Sequence, residues 1–293
     1  MPEVMRPFRV RVATVVRRDG VLHTAVLKDY ALSYILAGIA AVPELARSLA
    51  FKGGTALRKC FFSTYRYSED LDFTAIPPTW TASNLETALR EACAQTEELT
   101  RPYGAFTFTP ELVQHRRDHP QQQQNFKIAV HFPTGAVDSI KVEITQEEPI
   151  VLSLRSLPLL HNFEDEQLSA ELVCYDIAEI VIEKLRAFLQ VRAMLERRAW
   201  TNRARDLYDL WYLHRQGDFP IDWALIRQHL PDKAAARGVT FAGPDDFRDP
   251  RVLAAYAEQW DGLLGVVIPQ RPSFEEARAE LDAVLREVFR DPD

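Results

Sequence analysis

The sequence has few of the residues that mark several classes of protein. Only three of its 293 residues are cysteines, and they stand far apart, at positions 60, 93 and 174, with no CxxC spacing. A disulfide-stabilised scaffold and a zinc ribbon are therefore excluded. Free cysteines of this kind are typical of a protein in the reducing cytoplasm.

Long apolar runs are missing as well. The longest strongly apolar stretch runs from Ile35 to Val42, whereas a membrane-spanning helix needs about 20 residues. The first residues contain no basic segment followed by an apolar one, so a secretory signal is not expected. We therefore predict a cytoplasmic protein without a membrane partner.

Lysine is scarce. The 35 cationic residues comprise 28 arginines and 7 lysines, a bias typical of GC-rich coding sequences. Because composition does not favour lysine, Lys52, Lys127, Lys141 and Lys184 are candidates for specific roles. The formal net charge of −7, taken alone, argues against a nucleic-acid partner.

The order of the patterns indicates an α+β chain. Residues 8–16 alternate partly and predict a short strand or an ordered arm. Alternation predicts four further strands, over residues 67–75, 105–113, 125–132 and 138–145. Helical spacing predicts helices over 24–42, 44–49, 56–62 and 83–98, the last with Ser83 as N-cap, and dominates from residue 176 onward. We predict an α/β domain over 1–160 and a helical domain over 161–293.

Asp70 and Asp72 form the strongest chemical signal. Residues i and i+2 of a strand point to the same face, so the two carboxylates are expected side by side. They repel each other unless they are solvated, protonated or bridged by a cation. A hard ion such as Mg²⁺ binds carboxylate and phosphate oxygens, and two such ions suit an in-line phosphoryl transfer. The alternative is an edge strand with a solvated acidic face.

A glycine pair precedes these carboxylates, in Lys52-Gly53-Gly54-Thr55. Glycine allows close approach of the backbone, and a helix that follows presents unpaired N–H groups, so the segment predicts a phosphate-binding site. The alternative is an ordinary glycine turn. The segment is neither GxxxxGK[ST] nor GxGxxG, which excludes the two common phosphate-binding loops.

Together, these segments resemble a known family. The runs Phe51–Arg58 and Arg66–Phe73 are similar to motifs of the AbiEii family of nucleotidyltransferase-like toxins. The mycobacterial MenT toxins belong with that family, a branch of the DNA polymerase β nucleotidyltransferase superfamily. Residues 183–187 match its KxxA motif, and residues 203–209 match its RxKDxxD motif with Arg205 in place of lysine.

The resemblance implies a nucleotidyltransferase domain with a mixed sheet, followed by a helical domain, with the active site between the two. It assigns metal binding to Asp70 and Asp72, and to Glu143 as the third acid on a later strand. The metal would be Mg²⁺, or Mn²⁺ in its place. The alternative for Glu143 is a solvent-facing strand residue. The residues that would seat the phosphates of the NTP substrate are Lys52, Gly53, Gly54, Thr55 and Ser68.

The later motifs supply the remaining roles. Lys184 would bind the phosphates and neutralise the charge that develops on them. Asp206 would orient Lys184 or help position the acceptor hydroxyl. Asp209 is instead predicted to form a structural ion pair with Arg205, four residues earlier.

A cationic segment bears on the acceptor. From Lys184 to Arg205 the chain carries seven cations and one acid, Glu196. The positive electrostatic field of this segment would attract the phosphate backbone of an RNA. The alternative is a solvated helix face. The resemblance implies transfer of a nucleoside monophosphate to the 3′ end of a tRNA, by a growth-inhibiting toxin with an AbiEi-like antitoxin as partner. A small-molecule or protein hydroxyl as acceptor, and a catalytically silent interaction module, are the alternatives.

Overall fold

A computed structural model of the chain describes residues 5–76, 80–116, 123–197, 203–265, 267–268 and 271–290. The chain divides into two compact units, one of Met1–Glu148 with Leu154–Tyr175, and one of Pro149–Ser153 with Asp176–Asp293. The first unit continues past residue 160 because it includes a strand at Glu171–Cys174.

The first unit contains a mixed seven-stranded sheet, and the predicted α+β class is confirmed. Its strands are β1 (Leu49–Lys52), β2 (Asp70–Ala75), β3 (Thr107–Arg116), β4 (Gln123–His131), β5 (Val137–Thr145), β6 (Arg155–Pro158) and β7 (Glu171–Cys174). They are arranged in the order β3-β4-β5-β2-β1-β7-β6. The pairs β2·β5 and β1·β7 are parallel, whereas β1·β2 is antiparallel. The strand that carries Asp70 and Asp72 therefore lies at the centre of the sheet.

The described residues of the first unit form five α-helices: α1 (Phe8–Asp19), α2 (His23–Ala41), α3 (Pro43–Ser48), α4 (Gly53–Ala56, continued by a π-helical turn over Leu57–Phe61) and α5 (Ala82–Thr100). The prediction of a strand over 8–16 is wrong. Phe8, Arg11, Val12 and Val15 are buried, and their spacing of three to four residues is that of one helix face. The N-cap of α5 is Thr81, whose side chain accepts a hydrogen bond from the backbone N–H of Asn84, and not the predicted Ser83.

Helix α2 is the apolar centre of this unit. It is the one helix among the described residues that is long and apolar enough to cross a membrane, and 72% of its most apolar window is buried inside the protein. Its tyrosines, Tyr30 and Tyr34, are fully buried. Such burial is expected of a core helix. The apolar helix His23–Ala41 is longer than the apolar stretch Ile35–Val42 recognised in the sequence.

The second unit is helical in its described residues, apart from short turns. Its helices are α6 (Ile177–Glu196), α7 (Ala204–Arg215), α8 (Trp223–Ala235), α9 (Pro250–Leu264) and α10 (Phe274–Val288). Residues 149–153 join it through Glu179, a fully buried carboxylate that accepts the backbone N–H groups of Val151 and Leu152 at 3.0 Å. Lys233 donates to the same carboxylate at 2.7 Å. A buried ion pair with further hydrogen bonds thus anchors this segment.

Candidate active site

The predicted carboxylates lie on one face at the centre of the sheet. Asp72 of β2 is directly opposite Lys52 of β1 on one side and Glu143 of β5 on the other. Asp70 is opposite Lys141 of β5 in the same way. Residues in register on neighbouring strands share a face, so one face of the sheet carries all five side chains. The opposite face is apolar, with Leu71 and Phe73 of β2 buried.

Side chains approach both glycines of the turn closely. Gly53 has a φ of 78°, in the left-handed region that favours glycine. A Cβ at Gly53 would lie 2.7 Å from Oδ2 of Asp72, and a Cβ at Gly54 would lie 2.4 Å from Nη2 of Arg66. The glycine pair therefore brings the backbone against one candidate metal ligand and one buried guanidinium.

The contact between Gly54 and Arg66 gives a testable expectation. Replacing Gly54 with alanine forces the guanidinium to move, and we expect the free energy of unfolding to fall by about 1–3 kcal/mol. In an Arg66→Ala background the same substitution should have less than half that effect, because the obstructing group is gone. Urea denaturation of the four proteins measures this coupling. Equal effects in both backgrounds would mean that something other than Arg66 requires the glycine.

The hydroxyl groups of Thr55 and Ser68 connect the glycine turn to β2. The Thr55 hydroxyl lies 2.5 Å from the carbonyl oxygen of Asp70 and 2.7 Å from the Ser68 hydroxyl. Both side chains are buried, with Thr55 1% and Ser68 9% exposed. In this arrangement they hold the start of β2 against α4, and so fix the position of Asp70 relative to the glycine turn.

Lys52 also has a partner that the sequence did not indicate. Its ammonium donates to Oε2 of Glu148 at 2.5 Å and lies 5.6 Å from the centre of the Tyr175 ring. Glu148 is buried. A contact with a buried carboxylate stabilises the end of β1, so Lys52 already has a structural role besides the predicted phosphate contact.

The three predicted metal ligands share one face of the sheet, with Glu143 in register with Asp72. Over residues 5–290, outside the gaps given above, no group of three or more His, Cys, Asp or Glu side chains is arranged to hold an ion. Glu143 instead contacts the ammonium of Lys141. Burial opposes a charged lysine, but the hydrogen bond to Glu143 and the charges of Asp70 and Asp72 raise the pKa of Lys141. Glu143 thus has a cationic partner two residues earlier on the same strand face, and its role as a metal ligand stays a prediction.

A buried ion cluster, which the sequence analysis missed, holds the segment that precedes β2. Asp29 of α2 contacts Arg58 at 2.5 Å and Lys59 at 2.8 Å. The Arg58 guanidinium lies 3.6 Å from the centre of the Tyr67 ring, and the Tyr67 hydroxyl donates to Asp19 at 2.5 Å. Arg58 follows the glycine pair in the same helical segment, so this cluster joins α2, the glycine turn and the residues just before Ser68. A lone aspartate in an apolar helix was the available sequence signal.

Burial and charge oppose each other in this cluster. Burial raises the pKa of Asp29, but the neighbouring charges of Arg58 and Lys59 outweigh it and hold that pKa well below its ordinary value. Burial and the nearby Arg58 lower the pKa of Lys59 to about 8, although Asp29 opposes the shift. The single carboxylate of Asp29 therefore compensates the positive charges of both Arg58 and Lys59.

In the second unit, Lys184 lies between two carboxylates. Its ammonium donates to Oδ1 of Asp206 at 2.7 Å and lies 2.8 Å from Oδ2 of Asp209. Asp206 also contacts Arg203 at 3.3 Å. The structure thus pairs Lys184 with Asp206. It also pairs Lys184 with Asp209, for which the sequence analysis predicted an ion pair with Arg205. Only 12% of the Lys184 side chain is exposed, so its position is closely constrained.

The cationic segment that begins at Lys184 is less open than its composition indicates. Arg186 is 7% exposed, and Arg192 is engaged by Asp246. Arg197 and Arg203 are exposed, and Arg198 lies outside the described residues. Only part of the predicted positive surface is therefore available to a nucleic acid.

Comparison with known proteins adds two findings. The profile of a family described as "Nucleotidyl transferase AbiEii toxin, Type IV TA system" matches residues 34–286. Among solved structures, the chain is similar to MenT4, a nucleotidyltransferase toxin from Mycobacterium tuberculosis H37Rv, with a TM-score of 0.67 and 23% sequence identity, over 96% of this chain and 90% of that one. No curated protein matches the sequence. The structural likeness concerns the fold, and the profile concerns the family.

Proposed function

Because the chain belongs to the AbiEii family of nucleotidyltransferase toxins, we propose that it transfers a nucleoside monophosphate from an NTP to the 3′ end of an RNA, with tRNA as the acceptor. In this reaction a 3′ hydroxyl oxygen attacks the α-phosphorus of the NTP, the bond from that phosphorus to the β-phosphate breaks, and pyrophosphate leaves. The hydroxyl proton passes to a base or to solvent.

The observation that supports this most is the placement of Asp70 and Asp72. Both carboxylates project from the central strand β2, and Asp72 lies against Gly53 at the glycine turn. Two carboxylates on one strand face fit a hard divalent cation. Asp70 and Asp72 would hold Mg²⁺, or Mn²⁺, and such an ion supplies positive charge to the phosphates during transfer.

The other residues take roles that their contacts permit. The backbone of Gly53 and Gly54 would approach the phosphates, while Thr55 and Ser68 keep β2 in place beside it. Lys184 would neutralise charge on the phosphates, because Asp206 and Asp209 hold its ammonium in one position.

The biological setting follows from the family. A type IV toxin–antitoxin system includes an antitoxin, and we propose an AbiEi-like protein in that role. Acting on tRNA places the enzyme in the cytoplasm, and a modified 3′ end cannot be aminoacylated. Exposed Arg197 and Arg203 would contribute to binding the RNA backbone.

The direct test is transfer of label. The purified chain is incubated with Mg²⁺, total RNA and each of the four NTPs in turn, labelled at the α-phosphate. We expect label to enter RNA with at least one NTP, to be lost on RNase treatment, and to be prevented when the 3′ hydroxyls have been oxidised with periodate. Lys184→Met should lower the rate by about 100-fold or more.

Each other outcome identifies a different error. Label that survives RNase and stays with protein or a small molecule would move the acceptor to another class of hydroxyl. Label that enters periodate-oxidised RNA would contradict the 3′ end as the site. Absence of transfer with every NTP, together with no heat of NTP–Mg²⁺ binding in calorimetry, would indicate a silent interaction module.

A further inference from the structure

Two of the three cysteines, which are far apart in the sequence, meet in the folded chain. Cys60 lies on the π-helical turn that follows the glycine pair, and Cys174 is the last residue of β7. Their Sγ atoms are 3.2 Å apart. A disulfide joins its sulfurs at about 2 Å, so a shift of about 1 Å brings this pair to bonding distance. Both residues belong to the first unit, so the contact lies inside one compact part of the chain.

The two thiols are shielded while the sheet is closed. Cys60 is 3% and Cys174 0% exposed. The hydrogen bond to Cys60 and burial raise the pKa of Cys174, so its sulfur is a neutral thiol. A neutral thiol is a poor nucleophile. The closed sheet therefore protects the pair from rapid oxidation.

The edge of the sheet offers a path for a small oxidant. Strands β6 and β7 have four residues each and stand at one end of the strand order. Strand β7 joins β1 where Phe51 is in register with Cys174. Short strands near an edge open locally at a lower free energy than the centre of a sheet. Such an opening exposes the Cys174 sulfur to water and allows it to ionise.

We propose that Cys60 and Cys174 form an oxidisable dithiol, which a peroxide converts into an intrachain disulfide. One thiolate attacks an oxygen of hydrogen peroxide, the O–O bond breaks, and a sulfenic acid forms while the released hydroxide takes up a proton. The other thiol attacks that sulfur, and its proton leaves with the hydroxyl group as a second water. Both sulfurs are oxidised, and the peroxide is reduced to two waters.

The disulfide would join β7 covalently to the helical segment that carries the glycine turn. Because the bond ties Cys174 to Cys60, the oxidised sheet no longer opens at β7. Disulfides in cytosolic proteins are usually transient and often sense redox conditions. The proposal goes beyond nucleotidyl transfer, in which neither thiol has been given a role, and it is tested without nucleotide or RNA.

The experiment exposes the full chain to hydrogen peroxide under native conditions. Thiols are then alkylated in denaturant, and the peptides are mapped by mass spectrometry. We expect a product lighter by two hydrogens, with Cys60 linked to Cys174, which dithiothreitol converts back. Cys93 of α5 is the internal control, since it is buried and burial raises its pKa to about 12. The pair should lose its thiols about tenfold faster than Cys93, because the sheet edge opens more readily than a packed helix.

Two variants and a denatured sample complete the test. Cys93→Ser should form the same link at the native rate, whereas Cys174→Ala should form no intrachain link while it is folded. In denaturant the shorter loop between Cys60 and Cys93 closes at a lower entropic cost, so the pairing should change when the fold is lost.

Three results would overturn the proposal. The first is a native chain in which Cys60 and Cys174 keep their thiols as long as Cys93 does. The second is a sulfonic acid, or a link between two chains, in place of the intrachain link. The third is the same mixture of pairings in native and denatured protein, which would mean that the fold does not direct the bond.

Discussion

Replacing Asp72 with asparagine is expected to lower the rate of nucleotidyl transfer by about 100- to 1,000-fold while the protein remains folded. The carboxylate lies in the central row of the sheet, against Gly53, and an amide of the same size fits the same space. The substitution removes one negative charge and one proposed metal ligand, and the loss of a single electrostatic contact at a reacting phosphate has an effect of this order. Single-turnover transfer of labelled NMP measures the chemical step.

A carboxylate elsewhere on the same face is the control. Glu111 is an exposed residue of β3, three strands away from β2. It lies in the same cross-strand row as Asp70, with Lys127 of β4 and Lys141 of β5 between them. Glu111→Gln changes the net charge by the same amount and should alter the rate less than about threefold, because the field of an exposed charge is screened over that distance. Comparable losses in both variants would show that Asp72 acts only through the overall field.

Replacing Asp29 with asparagine is expected to reduce the free energy of unfolding by about 3–5 kcal/mol. The substitution leaves the buried cations Arg58 and Lys59 without their shared carboxylate, and removal of one member of a buried ion cluster has this magnitude. Chemical denaturation monitored by tryptophan fluorescence measures the change. Asp165→Asn, at an exposed pair with Arg6, is the control and should change the same quantity by less than about 1 kcal/mol.

The effect of Asp29 depends on pH in a defined direction. Its pKa in the folded chain is below that of the unfolded chain, so its contribution is fully present above the unfolded value of 3.8. The contribution is lost as the pH falls further and the folded carboxylate takes up a proton. The stability difference between the native chain and Asp29→Asn should therefore shrink as the pH falls below about 4. A difference that grows below that pH would contradict the assigned ionisation.

The parts of the site that could be predicted depend on local geometry. Alternation in Asp70–Phe73 placed two carboxylates on one strand face, and the glycine pair predicted a close approach of the backbone. The long strands β3, β4 and β5 were predictable because an alternating pattern of eight or more residues is distinctive. The pairing of Lys184 with Asp206 followed from motif order.

The remaining features depend on contacts between segments that are far apart in the sequence. Strands β6 and β7 have four residues each, too few for a period to be recognised. The apolar residues of Phe8–Val16 fit both a partly alternating strand and one face of a helix. The segment is helical because Phe8, Val12 and Val15 are buried together on that face. The compensation of Asp29 by Arg58 and Lys59, and of Glu143 by Lys141, depends on register and rotamers that no single segment specifies.

The pairing of β1 with β7 has a consequence for the synthesis of the protein. Phe51 is in register with Cys174, and its carbonyl accepts the backbone N–H of Tyr175 at 3.0 Å. The strand that leads into the glycine turn therefore lacks one neighbour until the ribosome has made residue 175. At about 5–20 residues per second, this partner of β1 follows it only after several seconds to about half a minute. A nascent chain holds the glycine turn unfinished during that interval, so the sheet is completed only after more than half of the chain has been made.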